Sequence, residues 1–92
     1  MLPREQRVAE IRRRLEAAFR PVALDVIDDS HKHAGHEGAR DGRGHFRVQI
    51  SAEAFRGKPP LARHRMVYEA LGDLMKRDIH ALKIEAFAPG QL

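Results

Sequence analysis

The 92-residue chain contains no cysteine, which excludes a disulfide framework, a nucleophilic thiol and any metal site that supplies its own thiolates. Aromatic residues are scarce, at 5%, and most stand at positions of core periodicity. Few rings are left as stacking platforms for single-stranded nucleic acid. No apolar run approaches the roughly 20 residues that a membrane-spanning helix needs. The first residues lack the basic-then-apolar layout of a secretory signal, and Glu5, Glu10 and Glu16 count against an acid-poor transit peptide. A cytoplasmic address is the expectation. No serine is patterned with a base: Ser30 beside His31 is adjacency in sequence and fixes no geometry. The acidic residues are scattered over expected outer faces, so an enzyme is not expected. Internal repeats and linkers are also missing.

What the chain does have is charge and periodicity. Seventeen Lys and Arg against thirteen Asp and Glu give a net charge of +4, a mild basicity that suits nucleic acid or an acidic protein surface and singles out neither. A hydrophobic share of 42% beside 33% charged residues fits one globular domain over residues 1–92 with a modest core. Val8, Ile11, Leu15 and Phe19 recur at helical spacing between Pro3 and Pro21. Val22, Leu24 and Val26 alternate with Ala23 and Asp25, and Phe46, Val48, Ile50 and Ala52 alternate with Arg47, Gln49 and Ser51. Two strands that pair antiparallel are expected, the second with one face on the core. A short helical turn over residues 51–55 stops at Gly57 and Pro59-Pro60; Leu61, Val67, Tyr68, Leu71, Leu74 and Met75 then mark a longer helix. Residues 79–87 read as a third strand ending at Pro89-Gly90. The order is α, β, β, short α, α, β, an α+β fold.

Four of the six histidines fall between residues 31 and 45. His31, His33 and His36 share a polar, glycine-rich segment within residues 28–44, a loop too long for so small a domain unless it has a function. It reads either as a ligand-bearing loop or as a solvated one, since loop spacing alone fixes no coordination geometry. Any thiolates that a soft or borderline metal needs must come from another molecule. His45 opens the second strand on its polar register with Arg47, where a solvated position is expected, with some share in a partner surface. His64 precedes Val67 and Tyr68 by three and four residues on the helix's apolar face, so internal packing and a hydrogen bond are expected and it is left out of the metal site. His80 shares strand parity with Leu82 and Ile84. Taken alone it reads as a half-buried structural histidine, although a strand's first residue can turn its ring to the sheet edge.

Residues 24–36 (LDVIDDSHKHAGH), 45–50 (HFRVQI), 55–71 (FRGKPPLARHRMVYEAL) and 79–82 (IHAL) resemble the BolA family, across nearly the whole chain. The resemblance implies a single αββααβ domain, like a type II KH domain, with helices packed on a three-stranded mixed sheet. It also implies a non-enzymatic role in iron-sulfur assembly, trafficking or iron sensing, as the heterodimeric partner of a monothiol glutaredoxin around a bridging 2Fe-2S cluster. The metal ligands it implies are His33 and His80; loop length varies within the family, so His31 and His36 remain alternatives to His33. A glutaredoxin cysteine and a glutathione thiol fill the other positions, and the chain alone carries no cofactor. Iron in such clusters accepts neutral imidazole when thiolates hold the remaining sites. Some relatives are described instead as transcription regulators. That alternative points to Lys58, Arg63 and Arg65 in a helix-turn-helix-like segment, with weak and unspecific DNA binding. Arg56-Gly57-Lys58-Pro59 stands where a KH domain keeps its G-x-x-G loop but lacks the second glycine, and Gly35-His36-Glu37-Gly38 has the letters but lies between strands.

Overall fold

Phe46, Val48 and Ile50 are buried on one face of their strand, and the rest of the chain is arranged around them. The computed structural model describes residues 1–30 and 42–91. In chain order these form α1 (Arg4–Phe19), β1 (Ala23–Asp28), β2 (Gly44–Ser51), a 3-10 turn (Glu53–Phe55), α2 (Pro60–Leu71), α3 (Leu74–Arg77) and β3 (Ile79–Phe87). The strands lie in the order β1-β2-β3. β1 runs antiparallel to β2, Leu24 facing Ile50 and Val26 facing Val48, and β3 runs parallel to β2, with Leu82 beside Phe46 and Ile84 beside Val48. This is the α+β order and the mixed three-stranded sheet expected from the sequence.

The period of two puts Phe46, Val48 and Ile50 on one face, where they join Ile11 and Leu15 of α1 and Val67 and Leu71 of α2 in a single core. Burying each such side chain stabilises the fold by about 1.5–3 kcal/mol. Phe55, fully buried from the 3-10 turn, meets Phe19 with ring centroids 5.0 Å apart and tilted by 44°. That contact fixes the end of α1 against the turn.

Three details depart from the sequence reading. The apolar spacing that carries Leu74 and Met75 into the long helix is interrupted: α2 ends at Leu71, and Gly72 takes φ 55°, its N–H donating to the Tyr68 carbonyl at 3.0 Å. Only glycine visits such a backbone region without strain. Val22 precedes β1 and is 71% exposed, and Leu61 and Tyr68 are exposed on α2 rather than buried. Arg7, which the sequence reading does not single out, is 4% exposed and lies 3.3 Å from the buried Asp78.

Arginines also bind α1 to the α2–α3 corner. Arg14 Nη1 donates to the Leu71 carbonyl at 2.7 Å and to Asp73 Oδ1 at 2.9 Å, while its Nε donates to Glu10 at 2.8 Å. Hydrogen bonds from Arg13 and then Arg14 hold the Glu10 carboxyl down to about 2, well below its usual 4.5.

Candidate metal centre on the exposed sheet face

The face of the sheet opposite the core carries Asp25 and Ile27 of β1, His45, Arg47 and Gln49 of β2, and Ala81, Lys83 and Glu85 of β3 in lateral register. All but His45, Arg47 and Glu85 are exposed. One end of this face is cationic and histidine-bearing, and the other carries Asp25 and Glu85.

At the histidine end the parallel register slips by one residue. Gly44 pairs with Ile79, yet His45 pairs with Ala81, so His80 is an extra residue on β3, a β-bulge. A bulge re-aims the side chain at the inserted position. His80 therefore does not keep the parity of Leu82 and Ile84, as the sequence reading had it; its ring is exposed and lies beside His45, with ring centroids 5.2 Å apart and tilted by 51°. Arg43 Nη2 lies 3.1 Å from His80 Nδ1.

His45 is held by its backbone from both directions. Its carbonyl accepts the Asp29 N–H at 2.7 Å and its N–H donates to Ser30 Oγ at 3.1 Å, while Ser30 is itself turned by its N–H bond to Asp28 Oδ1 at 2.8 Å. Gly44, one residue earlier, donates to the Asp78 carbonyl at 2.9 Å. A Cβ on Gly44 would stand 2.6 Å from the Phe46 ring, so only glycine lets the strand begin this close to the core. The result is that His45 is 6% exposed and not at a solvated position, because the slipped register sets its ring against His80. Beside it a groove of about 480 Å³ is lined by Asp29, His45, Arg47, Ala81 and Lys83, and Arg47 Nε lies 2.7 Å from Asp29 Oδ2.

His31, His33 and His36 lie outside the described residues. Among the described residues no group of three or more His, Asp or Glu side chains could hold a metal ion, so this face is no closed site. It offers an exposed imidazole at a strand start with a second imidazole beside it and no thiolate. That donor set fits a metal centre completed by another molecule. Sequence reasoning names His80 as a candidate but misses the company of His45 and Arg43. The signal was there in Gly44 directly before a strand that opens with histidine, a position where a small residue permits close approach. His64 is half-buried on α2, and the hydrogen bond expected of its ring is not found among the described residues.

The three cations of the nucleic-acid alternative are not equivalent. Arg63 Nε donates to the Lys58 carbonyl at 2.8 Å, and its Nη1 to the Ala86 carbonyl at 2.9 Å and Gln91 Oε1 at 2.8 Å. That guanidinium ties the start of α2 to the end of β3. Lys58 and Arg65 are exposed.

A profile of the family described as BolA-like protein matches residues 15–91. SufE-like protein 1, chloroplastic/mitochondrial, of Arabidopsis thaliana is 42% identical over 87 residues; the match covers 89% of this chain but 24% of that protein, so the chain spans about a quarter of that relative's length. The DNA-binding transcriptional regulator BolA of Escherichia coli is 36% identical over 77 residues, covering 84% of this chain and 70% of that one. Among solved structures, the BolA domain of SufE1 from Arabidopsis thaliana superposes with a TM-score of 0.83 at 39% identity over the whole of both chains. No helix among the described residues is long and apolar enough to cross a membrane.

Proposed function

Because the chain belongs to the BolA-like protein family, we propose that it is a non-enzymatic adaptor in iron-sulfur assembly, trafficking or iron sensing. In this reading it pairs with a monothiol glutaredoxin and shares a bridging 2Fe-2S cluster through His80 and His33. The single observation that carries the reading is the bulge that turns His80 out of the core parity and onto an exposed face. A structural histidine has no need of that exposure, whereas a ligand to a shared centre does. The lack of any cysteine supports it from the other side, since a cluster held by two imidazoles needs thiolates, here from the glutaredoxin cysteine and its glutathione. When bound, the cluster supplies iron that accepts neutral imidazole. The chain's own part is to present the His80 ring on the exposed face, beside a His45 whose backbone is held by Asp29 and Ser30.

The test is a titration of this chain into cluster-loaded monothiol glutaredoxin, followed by visible absorption and by complex size. The reading predicts a heterodimer with an altered iron-sulfur spectrum. Unchanged spectra at every ratio, with no heterodimer, would contradict it.

The relative named a DNA-binding transcriptional regulator favours a second reading, in which Lys58 and Arg65 contact phosphates while Arg63 braces the helix that carries Arg65. Binding of that kind weakens steeply with salt, and each phosphate contact removed lowers the slope of log affinity against log salt by about 1. Thousandfold preference for a defined duplex over random sequence at physiological salt would promote this reading above the first.

A further inference from the structure

The contact between Arg43 and His80 is a hydrogen bond in only one tautomer of the ring. Arg43 Nη2 is 3.1 Å from His80 Nδ1. A guanidinium has only donors and is not deprotonated in proteins, so Nδ1 must accept. As a hydrogen bond, the contact requires the tautomer that carries its proton on Nε2.

We propose that Arg43 is a positioning residue that acts through His80 and competes with the metal centre for it; the proposal rests on the reading that His80 is a ligand. Two modes of ligation are open to a neutral imidazole. Through Nδ1, the metal needs the lone pair that Arg43 occupies. Through Nε2, the metal needs the nitrogen that now holds the proton, and the neutral ring must move that proton to Nδ1, where it meets the Arg43 N–H donor to donor. In both modes the hydrogen bond is lost when His80 ligates. Arg43 thus stabilises the free chain relative to the loaded one.

The bond is charge-assisted but exposed, so its removal is worth a modest factor, about 2- to 10-fold in an equilibrium constant. The positive charge of Arg43 could also attract an anionic cluster, an effect of opposite sign that salt screens. The sign of the change therefore decides the matter.

Two measurements test the proposal, with Arg43→Ala and, to keep the aliphatic stem, Arg43→Met. Nitrogen-15 spectra of the metal-free chain read the tautomer without any cluster. His80 is expected to carry its proton on Nε2 in the unaltered chain and to do so in a smaller fraction in both variants; a proton on Nδ1 in the unaltered chain would overturn the proposal. Titration of each chain into cluster-loaded monothiol glutaredoxin, at physiological salt and again at 1 M salt, reads the competition. Both variants are expected to take up the cluster about 2- to 10-fold more tightly. Equal or weaker uptake, with the unaltered chain binding normally, would overturn the role of Arg43 and leave the His80 reading intact. No uptake by any of the three chains would overturn the His80 reading and the competition with it.

Discussion

Arg7 and Asp78 form a buried ion pair across 71 residues of sequence, Nε to Oδ2 at 3.3 Å. The same carboxylate oxygen accepts the Leu2 N–H at 2.7 Å, and the Asp78 carbonyl accepts the Gly44 N–H at 2.9 Å. One residue thus ties the N-terminal segment and the start of β2 to a point two residues before His80.

Asp78→Ala leaves the Arg7 guanidinium buried without its counter-charge, a change that typically costs about 3–5 kcal/mol. Urea denaturation should show a loss of that size in the metal-free chain. A loss under about 1 kcal/mol, the scale of an exposed pair, would mean that Arg7 finds water or another acceptor and that the pair does not hold the fold.

Gly44→Ala places a methyl 2.6 and 2.7 Å from two atoms of the Phe46 ring and 3.0 Å from Ser30 Oγ. The ring is in the core and cannot swing aside freely, so overpacking of about 1–3 kcal/mol is expected. For a domain of this size each kcal/mol lowers Tm by about 4–8 °C. A thermal melt within one degree of the unaltered chain would show that β2 can begin without a glycine.

Glu10 contributes to acid sensitivity. Its folded carboxyl, held at about 2 by Arg13 and Arg14, sits below its unfolded value, so its contribution is present above about pH 4.5 and is lost as pH falls toward 2. Arg14 also lowers the Asp73 carboxyl, so both ends of this network weaken together in acid. Stability measured from pH 6 to pH 2 should fall, and Glu10→Gln should flatten part of that fall while changing little in the shape of the curve above pH 5. An unchanged acid limb in Glu10→Gln would assign the sensitivity elsewhere.

Much of the scaffold was legible because single-residue rules suffice for it. Phe46, Val48 and Ile50 announce a half-buried strand by alternation, and residues 79–87 mark the third strand, which the structure places at Ile79–Phe87. The order of elements follows from the same periodicities and turn residues, and the family resemblance implies the same order. The places that escaped are those where a tertiary contact overrides a period. The break at Gly72 is hidden because Leu74 and Met75 continue the helical spacing past it, and Arg7 looks like any other helix cation until Asp78 is brought beneath it. Parity assigned His80 to the core face because a bulge adds one residue and leaves no mark in the sequence beyond the glycine opposite. His45 followed from the same slip. The loop histidines His31, His33 and His36 lie outside the described residues, so the choice among them rests on the family resemblance, which favours His33.

The most direct measurement is the visible spectrum of the glutaredoxin complex reconstituted with His80→Ala, taken beside the circular dichroism and urea stability of the variant alone. His80 is exposed and lies outside the hydrophobic core, its ring against that of His45, so the variant is expected to keep its fold while the spectrum of the bridged cluster is lost. Replacing His33 should have the same effect, whereas replacing His31 or His36 should not. An unchanged cluster spectrum in folded His80→Ala would contradict ligation by this histidine, and a variant that unfolds on its own would return His80 to a structural role.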